Sequence, residues 1–146
     1  MSRALDLADA VVALLKPTFG NVQASTDPWD DTIKTPRPTL FVFVDPNGEK
    51  REKVSKGHGK ETLAIIVAIS CVLESEWTFR KLMKLAEDVV DYELPNEAIT
   101  CGPITWKHDG PNQFRTRYVQ GLIKEEAGVL DGTFVSFVEM PFRRSY

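Results

Sequence analysis

Few residues of this chain have the chemistry for catalysis or metal binding. Imidazole occurs only at His58 and His108, and thiol only at Cys71 and Cys101. A zinc site needs three or four convergent ligands, and neither histidine has a partner at ligand spacing. A cysteine–histidine nucleophile needs an accessible thiolate beside an imidazole. Cys71 closes an apolar run, where a buried thiol outside any disulfide is expected. The stretch Gly57-His58-Gly59-Lys60-Glu61-Thr62 comes nearest to a phosphate loop. It departs from the pattern at two positions. Val54 stands where the first glycine belongs, and Glu61 stands where a serine or threonine would bind magnesium. It also leads into a strand-like run, whereas a phosphate loop leads into a helix N-terminus. Asp27, Asp30 and Asp31 are interrupted by Pro28 and Trp29, which is not a calcium loop. No catalytic residue, cofactor site or metal site is expected, and the chain is not expected to be an enzyme.

What remains is a charged segment. Lys50, Arg51, Lys53, Lys56, His58 and Lys60 are interleaved with Glu49, Glu52 and Glu61. Two readings stay open: a solvated hairpin tip, or a protruding arm that pairs with acidic residues on a neighbouring subunit or a tube component. Trp29, among prolines and aspartates, is either a lid over the core or an interface anchor. The candidate interface residues are therefore Trp29, Arg51, Lys53, Lys56 and His58.

The elements that would position them are legible in outline. Ser2 caps an opening helix with a stripe of Leu5, Ala8, Val11, Val12 and Leu15, which Pro17 is expected to stop. Asn21 to Thr26 fits a short strand. Leu40 to Val44 is apolar on both faces, as in a strand inside a sheet. It runs into the turn Asp45-Pro46-Asn47-Gly48. From Leu63 to Leu73, large residues alternate with a smaller set, Ala64, Ile66, Ala68, Ser70 and Val72. A helix is conceivable there, but β-branched richness argues for a strand. A helix packed close on the second face would explain the small residues. A second helix is expected from about Ser75 to Pro95, with Phe79, Leu82, Met83, Ala86, Val89 and Val90 as its stripe.

Further on, Ile104 to Lys107 and Phe114 to Val119 flank a turn at His108 to Asn112, which suggests a hairpin. Ile123 to Ala127 fits a helical turn, and Thr133 to Met140 a final strand. The fold class is α+β: a mixed, mainly antiparallel sheet with two main helices packed on one face.

At 146 residues, with ordinary hydrophobic and charged content, one domain spanning 1–146 is expected. No apolar run reaches membrane-spanning length. Asp6 and Asp9 interrupt what would be the apolar part of an export signal. A net charge of −3 does not suit a protein that grips a nucleic-acid backbone.

The whole order resembles the small tail-terminator (tail-completion) proteins of long-tailed bacteriophages. The residues that carry the resemblance are Val44-Asp45-Pro46 at a strand end, Ser55-Lys56 in the arm and the strand Leu63–Ile69. The closing Phe134-Val135-Ser136 strand, which runs through Arg143, completes the set. Lys56 stands where arginine is more usual. The resemblance implies a homo-oligomer, a hexameric ring that caps the tail tube, ends its polymerisation and joins it to the neck connector. Tail tube protein and connector protein would be its partners, with DNA passing through the ring and no membrane involved. Assembly in the host cytoplasm and residence at the tail–neck junction of the virion follow from it. A head-completion or stopper protein of the neck, and a non-viral protein-binding adaptor, are the competing readings.

Overall fold

The computed structural model describes residues 2–24, 37–45, 49–73, 76–96, 98–120 and 133–146. Helix α1 (Arg3–Phe19) is capped by Ser2, whose hydroxyl accepts from the Leu5 N–H at 3.3 Å. Pro17 does not stop it. The helix runs two residues further, because a proline in the last turn removes only one hydrogen bond. Gly20, at φ 78°, then closes the end by donating its N–H to the Lys16 carbonyl at 2.8 Å. Leu7, not Leu5, joins Ala8, Val11, Val12 and Leu15 in the core; Leu5 lies at the margin of the stripe and is 59% exposed.

The strands are β1 (Val22–Ala24), β2 (Thr39–Val44), β3 (Lys50–Ser55), β4 (His58–Val72), β5 (Ala98–Cys101), β6 (Ile104–His108), β7 (Gln113–Gln120) and β8 (Thr133–Ser145). They form one curled sheet in the order β1-β2-β4-β8-β6-β5, with β3 also on β4 and β7 also on β8. Only β1–β2 is parallel, so the sheet is mixed and mainly antiparallel, as the sequence implies. Helix α2 (Phe79–Val90) starts later than expected, because Thr78 supplies the cap by accepting from the Lys81 N–H at 3.3 Å. It ends at Val90, well before Pro95.

The core forms on one sheet face. Leu63, Ile65, Val67, Ile69 and Cys71 of β4 meet α1 residues, α2 residues Leu82, Ala86 and Val89, and β8 residues Phe134, Val138, Met140 and Phe142. Each fully buried Val, Leu, Ile, Phe or Met among them contributes about 1.5–3 kcal/mol. Both helices therefore cover the large-residue face of β4, not the small-residue face that the sequence suggests. The small residues have another cause. Ala68 pairs directly with Phe41 on one side and with Phe137 on the other. These rings, with Phe43 and Ile66, make a second cluster on the helix-free face. A larger side chain at position 68 would compete with two rings at cross-strand distance.

The expected hairpin of residues 104–119 does not form. β6 makes its hairpin backwards with β5, a strand the sequence did not reveal, through Gly102 at φ 60°. β6 and β7 both lie along the same edge of β8, one after the other. The Asp109 N–H bridges the gap by donating to the Pro141 carbonyl at 2.8 Å. β8 is long enough to hold both, because it continues five residues beyond Met140, through Pro141. The expected turn residues Pro46–Gly48 and the expected helical turn at Ile123–Ala127 lie outside the described residues.

Candidate functional site

The charged segment is a β-hairpin. β3 pairs with the first residues of β4, and the Lys56-Gly57 turn has Gly57 at φ 78°. That value favours glycine. Arg51, Lys53, Lys56 and His58 are all exposed on it. Arg51, Lys53 and His58 come together with Ser55, Gly57 and Tyr146 around a groove of about 400 Å³. Lys56 sits at the tip, outside that lining. Trp29 lies outside the described residues.

The base of the hairpin is tied to the body by a residue that sequence reasoning passed over. Glu61 is fully buried. Arg3 of α1 grips it with two bonds, Nε to Oε1 at 2.7 Å and Nη2 to Oε2 at 2.5 Å. Arg144 of β8 donates Nε to Oε1 at 2.9 Å, and Arg51 Nε lies 3.9 Å from Oε2. The hydrogen bond from Arg3 above all, joined by that from Arg144, holds the Glu61 carboxyl down to about 2 against the opposing effect of burial. The same contact raises the Arg3 guanidinium.

The last residue completes the brace. The Tyr146 hydroxyl accepts from Arg51 Nε at 3.0 Å, and its ring lies 4.8 Å below both the Arg51 and the Arg144 guanidinium. Its backbone exchanges two hydrogen bonds with Gly59, at 2.8 and 3.0 Å. Gly59 is glycine because a Cβ there would stand 2.6 Å from the tyrosine ring and 2.7 Å from the Glu52 carbonyl oxygen. Arg144 also lies 5.6 Å from the ring of buried Trp106.

The remaining polar groups serve as ties. His108 Nε2 donates to Asn112 Oδ1 at 2.7 Å, and Asn112 Nδ2 donates to the Tyr92 carbonyl at 3.1 Å. Tyr92 in turn donates its hydroxyl to the Leu14 carbonyl at 3.2 Å, which joins the turn after β6 to both helices. On the helix-free face, Arg115 bridges buried Asp45 and Glu139, the latter at 2.9 Å. Burial, and secondarily Asp6, raise the Cys101 thiol, which keeps it protonated and poorly nucleophilic at neutral pH. Cys71 is fully buried. Among the described residues, no three His, Cys, Asp or Glu side chains converge to hold a metal ion, and no helix is long and apolar enough to cross a membrane.

One sequence signal did point to Glu61. It continues the alternating series Leu63, Ile65, Val67 and Ile69, so an acid there must face the core side and requires partners. No protein-family model matches this chain, and no curated protein was found to be similar to it.

Proposed function

We propose that this chain is a structural protein that assembles into a ring of the tail-terminator kind, capping a phage tail tube, ending its polymerisation and joining it to the neck connector. The observation that carries this reading is a charged hairpin tied to the body by hydrogen bonds at its base. Glu61, Arg3, Arg144 and Tyr146 fix the β3–β4 ribbon to the body, while the side chains toward its tip stay exposed. Two strands alone are marginal in water, and a merely solvated tip needs no such bracing. An arm tied in this way enters an interface with part of its ordering cost already met. Its charges then set register and partner choice more than affinity. The resemblance at Val44-Asp45-Pro46, Ser55-Lys56 and Phe134-Val135-Ser136 supports the same reading.

The test is to polymerise tail tube subunits with and without the purified protein and image the products by electron microscopy. Tubes of limited length with a ring on one end are expected. Tubes that grow equally long and bare contradict the reading. A twelvefold ring bound to the neck would favour a connector-side stopper, and a persistent monomer would favour an adaptor.

A further inference from the structure

We propose that copies of this chain join head to tail through two oppositely charged patches, a basic row on the helix-free sheet face and the acidic end of α2. The inference rests on the ring-forming reading above and names the surfaces it would use.

The row follows from register. Lys50 pairs with Thr62, Thr62 with Arg143, and Arg143 with Lys107, so one line of side chains crosses β3, β4, β8 and β6. Directly paired residues share a face, and these alternate with buried Glu61, Leu63 and Phe142. They therefore stand on the side away from the helices, over about 14 Å of sheet. Lys60 stands in the adjoining row, opposite Ser145. All four cations are exposed, and Lys60, Lys107 and Arg143 line a groove of about 520 Å³. Arg143 and Lys107 are like charges directly opposite each other, an arrangement that destabilises a sheet taken alone. Asp109, 3.5 Å from Arg143, and Glu52, opposite Lys60, offset only part of this charge.

The second patch is equally ill-placed within its own element. α2 has no acid in its first turn and no base in its last. Arg80 and Lys81 sit at its positive end, and Glu87, Asp88 and Asp91 at its negative end, the reverse of what the macrodipole favours. Lys84 holds Asp88 at 2.7 Å. Asp91 and Glu93 line a groove of about 730 Å³ between the helix end and the turn at His108–Asn112.

Each patch is unfavourable by itself, and each relieves the other when two copies meet. The patches lie on opposite sides of the sheet, so the contact is heterologous and repeats from copy to copy, closing into a ring where its rotation divides the circle. A second copy suits the row better than a nucleic-acid backbone, because the chain carries a net charge of −3.

The experiment is sedimentation equilibrium at low salt on the parent, on Lys107→Glu/Arg143→Glu, on Asp91→Lys/Glu93→Lys, on their equimolar mixture and on the chain carrying all four changes. Thermal melts check folding. The helix variant should melt no lower than the parent, since lysine suits a helix C-terminus. Each double variant alone should associate at least about tenfold more weakly, while the mixture and the fourfold variant should associate as the parent does. A parent that associates together with variants that associate equally well overturns these patches and leaves the ring reading standing. So does failure of the mixture and the fourfold variant to recover. A parent that does not associate overturns the ring reading, and this contact with it.

Discussion

Glu61 occupies a position of β4 where the alternation of the strand calls for an apolar side chain. Its burial is tolerable because Arg3 and Arg144 donate three hydrogen bonds to it. The sign of its pH effect follows from the lowered carboxyl. Stabilisation is fully present above the ordinary value of 4.5 and is lost as pH falls toward about 2. After allowance for solvent around the half-exposed Arg3, its size is about 2 kcal/mol. Glu61→Gln should therefore lower stability at pH 7 by roughly 2–4 kcal/mol and flatten the loss of stability between pH 4.5 and 2. Urea unfolding across that range checks both; an unchanged midpoint at pH 7 would mean that the network contributes nothing. Arg51 was legible as a functional candidate because charge in a turn is a local signal. Its partner Tyr146 was not, since the two lie 95 residues apart and only the fold brings them together.

At the scale of elements, local patterns identified both helices, the β2 and β4 strands, the final strand and the fold class. Pairing was less legible. Residue alternation alone ended β8 at Met140, although the resemblance carried the strand through Arg143; its continuation to Ser145 gives β4 a partner along nearly its whole length. That length also lets β6 and β7 share one edge of β8, so a turn signal at His108 to Asn112 did not produce a hairpin. Short β5 escaped notice because four residues hold too little alternation to register. The β3–β4 hairpin divides into a braced base and a free tip. Lys53→Glu/Lys56→Glu alters only exposed side chains. It should change stability by no more than about 0.5 kcal/mol, while weakening assembly on the tube. Arg51 is not a clean choice for that test, since it also holds Tyr146. Thermal melts beside the tube-capping assay separate the two effects, and intact capping would mark the tip as a solvated turn.

At the scale of the molecule, the sheet has a helix-covered face, on whose side the Glu61 brace of the arm lies, and a helix-free face with its own aromatic cluster and basic row. This two-sidedness suits a subunit that repeats by rotation, with one side of each copy meeting the other side of the next. The most direct measurement is the mass distribution of the purified protein by light scattering across a wide concentration range at low salt. The expected result is one closed species of six times the 16.4 kDa chain mass, constant in size once formed. A monomer at every concentration, or a mass that keeps growing as open filaments do, would contradict a closed ring.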